Sequence, residues 1–163
     1  MGKLLLSVHV IAAILAVGSI AVAASLFPRF AKLAAAETPP EGGEEKGRAV
    51  GIAAFLHRIC RIYAVAGLVV PVFGLATGAH LGVLGDAWLI TSMILTAVAA
   101  FMLAMAIIPG QERMLTMART GGAAVEGVGA AAARLGMLTG IFNLLWTVVV
   151  VLMIVRPGST TGV

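Results

Sequence analysis

Three side chains in this sequence could converge on a metal or a haem. His9 lies a short way into the first apolar run, His80 closes the second, and Met93 sits in the third at a depth similar to that of His9. Imidazole and thioether together are ligands for haem iron or copper, provided that facing helices bring them to one centre. A second group lies in "FLHRICRIY", residues 55 to 63, which places His57, Arg58, Cys60 and Arg61 within five positions. His57 belongs to the opposite end of its run from His80 and cannot join the first group. Cys60 is the only cysteine, so no intramolecular disulfide is possible, and a lone thiol is expected to pack as a small apolar residue. The acidic residues Glu37, Glu41, Glu44 and Glu45 lie among Pro and Gly without helical spacing, and are read as solvated charge rather than a cation site.

The elements that position these residues follow from composition. Of 163 residues, 61% are hydrophobic and 11% charged, with a mean hydropathy of +1.09. That balance is far from a soluble domain. Four runs approach or exceed the roughly 20 apolar residues needed to cross a bilayer: about 4–27, 62–79, 87–108 and 135–155. Backbone amides cannot go unpaired in hydrocarbon, and no period-two alternation marks a β-barrel, so the spans are expected to be helices. The fold class is all-α: one polytopic domain over 1–163 with four transmembrane helices. The first run resembles a signal peptide, with Lys3 before it and "VAAS" inside it. It is longer than a signal core and is read as a retained span.

Charge sets the orientation. The first loop and its flanks carry Arg29, Lys32, Lys46, Arg48, Arg58 and Arg61, and the third carries Arg113, Arg119 and Arg134, against Lys3 and Arg156 on the other face. The positive-inside rule therefore predicts both of these loops to be cytoplasmic and both termini extracytoplasmic. Arg58 and Arg61 stand one helical turn apart at a span end, where their stems follow apolar surface and their guanidinium groups reach lipid phosphate. The net charge of +4 is thereby assigned to headgroups, with no nucleic acid implied.

Between the spans, 36–48 reads as a cytoplasmic connector. The segment 109–134 reads as a second cytoplasmic loop, with Pro109 and Gly110 stopping the third span. Met114, Leu115, Met117 and Ala118 beside Arg113 and Arg119 suggest a short helix lying on the membrane surface. Pro71 is expected to kink the second span. Small residues four apart, Gly74 with Gly78 and Gly136 with Gly140, can let helices approach closely. Asn143, with Thr139 and Thr147 on the same face of the fourth span, needs a hydrogen-bond partner on another helix, in this chain or in another.

No span contains an Asp or Glu, there is no phosphate-binding glycine loop, and no nucleophile, base and acid fall together. The sequence points away from an enzyme and toward an accessory subunit of a larger inner-membrane complex, a transporter or respiratory assembly, acting through lateral helix contacts. No cofactor is expected on that reading; the alternative is a haem- or copper-binding redox protein built on His9.

The opening "LLLSVHVIAAILAVGS" and the closing "VVVVLMIVRPG" resemble an uncharacterised bacterial family of four-helix integral membrane proteins, a domain of unknown function. With "FPRF" at 27–30, the opening is also distantly similar to copper-resistance D-type proteins and to the four-helix protoporphyrinogen oxidase family. The resemblance implies a multi-pass protein of the bacterial cytoplasmic membrane. It singles out His9 as the position at which haem b or copper chemistry, or a step of haem synthesis, would be sought.

Overall fold

A computed structural model describes residues 2–36, 43–120 and 127–158. The described residues form six α-helices: α1 (Gly2–Ala35), α2 (Gly43–Ala66), α3 (Val69–Leu81), α4 (Ala87–Met102), α5 (Ile108–Thr120) and α6 (Val128–Val155), with a π-helical turn, Leu103–Ile107, between α4 and α5. Joined across two of their junctions, the six helices make four rods: Gly2–Ala35, Gly43–Leu81, Ala87–Thr120 and Val128–Val155. All four are long and apolar enough to cross a membrane. The protein is an all-α, multi-pass membrane protein. Rods of 34 and 39 residues are about 51 and 58 Å long at 1.5 Å per residue, well beyond the hydrocarbon thickness of about 30 Å.

The rods run up and down: Gly2 lies beside His80 and Arg156 over Trp88 at one end of the bundle, while Ala35, Ala49, Ala118 and Val128 gather at the other. The terminal end is marked by a clasp: the Trp88 indole donates to Asp86 Oδ2 at 2.9 Å, and the Arg156 guanidinium lies 5.6 Å from the Trp88 ring centroid. Arg156 terminates α6 in a left-handed conformation, φ 44°, followed by Pro157 and by Gly158 at φ 79°. A residue before proline is disfavoured as helix, and here the chain leaves the helix where "RPG" stands.

The other Pro-Gly pair behaves differently. Pro109 and Gly110 do not stop the third rod: α5 continues through them to Thr120. The physical reason lies in the preceding π turn, in which the Ile108 amide bonds to the Leu103 carbonyl, five residues back. The wider turn carries the carbonyl ladder past the proline ring, which would otherwise meet the carbonyl four residues before it. The expected surface helix is corrected too. Met114, Leu115 and Ala118 are buried in the protein core, because the apolar face of α5 packs on α1 and α2 instead of on lipid. Likewise the connector expected over 36–48 is shorter, since α2 already begins at Gly43 with Glu44 and Glu45 in its first turn, where acidic groups complement the helix dipole. Glu37 and Glu41 lie outside the described residues.

The second rod breaks at Gly67 and Leu68, four and three residues before Pro71. Pro71 has no amide to give the Gly67 carbonyl, which accepts instead from Val70 at 3.0 Å, in a tighter turn. A methyl at Gly67 would sit 2.8 Å from the Tyr63 carbonyl oxygen, so the break requires glycine there.

The densest packing is at the loop end. Ala24, Phe27, Ala31 and Ala34 of α1 face Ala49, Ala53, Leu56 and Cys60 of α2. Spacings of three and four on both helices are those of a coiled-coil seam, and alanine at most positions lets the backbones approach closely. α5 and α6 complete this core through Met114, Leu115, Val128 and Ala132.

Candidate functional site

Besides the Asp86, Trp88 and Arg156 clasp, three polar arrangements among the described residues bear on the candidate positions. The first joins α1 to α3. His9 Nδ1 is 2.8 Å from the Val70 carbonyl oxygen. A carbonyl only accepts, so Nδ1 carries a proton and donates, and in the Nδ1–H tautomer the lone pair is on Nε2. The imidazole rests on Gly74, where an added methyl would lie 2.9 Å from His9 Cε1. The same antiparallel register repeats on either side. His80 of α3 covers Gly2 of α1, its Cδ2 2.8 Å from where a methyl would be, and Gly67 faces Ala16 at 3.7 Å. On α1 the contacting residues are 2, 9 and 16, a heptad apart, which keeps one face of the helix on its partner.

His9 and His80 therefore engage the α1–α3 seam at levels seven residues apart on α1, about 10 Å along the axis. Met93 is half-exposed on α4, a helix that packs chiefly on α6. Of the three side chains expected as a ligand set, His9 and His80 thus sit at different levels of the α1–α3 seam and Met93 on another helix. Among the described residues no three His, Cys, Asp or Glu side chains are grouped closely enough to hold a metal ion.

The second arrangement is a buried polar knot between α2 and α5. Gln111 is fully buried; its Oε1 accepts from His57 Nδ1 at 3.0 Å, and its Nε2 donates to Cys60 Sγ at 3.4 Å. Gln111 was not legible as a site residue because Pro109 and Gly110 before it read as the start of a loop. Since the helix continues, a residue one turn past the π segment faces the α2 seam. The knot answers the question raised by "FLHRICRIY": His57 and Cys60 turn inward to Gln111, while Arg58 and Arg61 remain exposed.

The third is a groove between α1 and α6 of about 350 Å³, lined by Val17, Ala21, Asn143, Trp146, Thr147 and Val150. Asn143 Nδ2 donates to Ser25 Oγ of α1 at 3.3 Å, which is an intrachain partner for the polar side chain in the fourth span. Its Oδ1 has no partner, nor have Trp146 Nε1 and Thr139 Oγ1, although all three atoms are buried. Thr147 Oγ1 is satisfied by the Asn143 carbonyl at 2.9 Å. Trp146 meets Phe142 edge to face with ring centroids 6.3 Å apart.

The four glycines noted as contact positions divide. Gly74 and Gly78 are occupied within the chain, Gly74 by His9 and Gly78 by Leu84 and Leu89. Gly136 and Gly140 face open space, with nothing within 4 Å of an added methyl. Compared with protein-family models, with characterised proteins and with solved structures, the chain matches none.

Proposed function

We propose that the chain is a non-enzymatic accessory subunit of a larger assembly in the bacterial cytoplasmic membrane, a transporter or respiratory complex, held there by lateral helix contacts. The observation that carries this reading is the exposed Gly136 and Gly140 ridge on α6, flanked by Met137 and Leu144, which are 61% and 64% exposed. Helices associate in lipid through close packing, and two glycines four apart offer a backbone surface that no other described residue covers. In this arrangement the basic loop end faces the cytoplasm, with Arg58 and Arg61 on lipid headgroups and both termini on the far side. The test is purification of the tagged chain from its native membrane in mild detergent, with quantitative mass spectrometry. A stoichiometric larger membrane protein that is lost in Gly136→Leu and Gly140→Leu, with the chain itself still folded, is the expected result. Recovery of the chain alone in both forms defeats the reading.

A second reading rests on His9. Its Nδ1 is committed to the Val70 carbonyl, which leaves the Nε2 lone pair available for a haem iron or copper ion. A colourless, metal-free preparation from host membranes supplied with haem and copper defeats this alternative.

A further inference from the structure

We propose that the α1–α6 groove binds a lipid-soluble molecule bearing a hydroxyl group, with that hydroxyl seated between Asn143 and Trp146. The inference does not depend on the partner reading above.

Two atoms of opposite character define the site. Trp146 Nε1–H can only donate, and Asn143 Oδ1 can only accept. Both are buried and unpaired, and they belong to residues three apart, on one turn of α6. Asn143 Nδ2 donates to Ser25 Oγ, which leaves Oδ1 as the unmet group of the amide. Both residues line a groove whose remaining walls are aliphatic, Val17, Ala21 and Val150 among them. At about 350 Å³ the space lies within the range of small-molecule sites, and apolar walls with a few placed polar groups are the usual anatomy of such sites.

The chemistry of the occupant follows from the pair. A hydroxyl is the smallest group that accepts from an N–H and donates to a carbonyl oxygen through a single atom. A carbonyl, ether or ester can answer Trp146 but leaves Asn143 Oδ1 unmet. Depth narrows the source. Asn143 and Trp146 lie in the middle of α6, where no water is present to satisfy them, while phospholipid headgroups stay at the interface. The hydroxyl therefore arrives on a body that is itself at home in hydrocarbon. Isoprenoid hydroquinones and isoprenoid alcohols share this chemistry. Half-exposed Val150 and Val151 leave the groove open sideways, the route such a molecule would take.

The protein has two tryptophans, so Trp88→Phe leaves Trp146 as the single reporter and keeps an aromatic ring beneath Arg156. The full chain carrying this change, in detergent under anaerobic conditions, is titrated with decylubiquinol, with decylubiquinone and with farnesol, following Trp146 emission. A saturable change is expected with decylubiquinol or with farnesol, which separates the phenolic from the aliphatic source. Where the quinol binds, the quinone, which lacks the donor, is expected to bind about tenfold more weakly, the factor for roughly one hydrogen bond. Asn143→Leu is expected to remove the quinol preference or the farnesol response. Since the quinol and quinone comparison uses an unaltered groove, it stands even if Asn143→Leu fails to fold. Absence of saturable binding by all three compounds, or equal affinity for quinol and quinone without a farnesol response, overturns the proposal. So does full-yield disulfide formation between two copies through Thr147→Cys in a Cys60→Ala background, because a second chain would then fill the groove.

Discussion

His9 and Gly74 are fitted to each other across the α1–α3 seam. The imidazole lies where a Gly74 side chain would be, 2.9 Å from an added methyl, and its Nδ1–H reaches the Val70 carbonyl one turn earlier on α3. The contact ties α1 to the rod just after its break at Gly67. The histidine that attracts attention as a ligand therefore has a structural role that does not require one, and Gly74, expected to let helices approach closely, is the notch that receives it.

Gly74→Ala is expected to displace the ring and lose the Val70 bond. The cost is about 1–3 kcal/mol for overpacking, with about 1 kcal/mol for the hydrogen bond included in the upper part of that range. Thermal unfolding in detergent measures it. His9→Ala in the same background should recover most of the loss, since the added methyl then has room. Additive effects of the two changes would show that the residues are not coupled.

Gly67→Ala tests the break itself. The methyl would meet the Tyr63 carbonyl at 2.8 Å, a backbone atom that cannot swing aside. A loss of roughly 1–3 kcal/mol is expected, larger than for Gly136→Ala, where the space is open. Equal stability of the two alanine variants would mean that the rod bends elsewhere.

The polar knot makes a prediction about reactivity. Cys60 is fully buried beneath Gln111, so in the folded protein a maleimide should label it very slowly and in denaturing detergent at once. Gln111→Ala opens the cover and leaves the His57 donor without its partner. Faster labelling and a loss of about 1–3 kcal/mol are expected. Rapid labelling of the unaltered protein would contradict the burial of the thiol.

Orientation is accessible through the same chemistry. In a Cys60→Ala background, Glu45→Cys at the loop end and Gly158→Cys at the terminal end lie on opposite faces of the membrane. With the basic loops inside, an impermeant thiol reagent added to intact cells should label position 158 and reach position 45 only after permeabilisation. The reverse pattern would invert the proposed topology.

The four spans were legible because composition alone forces them: long apolar runs in a chain with few charges have one stable solution in lipid. The end of α6 was also legible, at Arg156 to Gly158. The interior was less so. Pro71 announced a kink, but the break falls at Gly67, where the missing amide is felt. The Ala24 to Ala34 and Ala49 to Cys60 seam carried a signal in its three and four spacing, yet most of it lies beyond the apolar runs 4–27 and 62–79, among the basic residues that marked the loop end. Gln111 was hidden because a local rule about Pro-Gly lost to tertiary packing: the apolar face of α5 has a place waiting on α1 and α2. Of the positions singled out as a ligand set, His9, His80 and Met93, residue type was readable and convergence was not, because depth along a helix says nothing about which way the residue faces.

The π turn offers the most discriminating test of how the third rod is built. A π turn is an α-helix with one residue added, so deleting Met105, a largely exposed residue within it, should return the segment to α geometry while keeping Leu103 and Gln111 on the core side. In a regular helix the Pro109 ring would meet the carbonyl four residues before it, at a cost of about 3 kcal/mol. The deletion alone should therefore destabilise the protein clearly, and the deletion combined with Pro109→Ala should recover most of that loss. Slow thiol labelling of Cys60 in the combined variant would report that Gln111 has returned to its place. If Pro109→Ala gives no recovery, the π turn exists for some reason other than the proline.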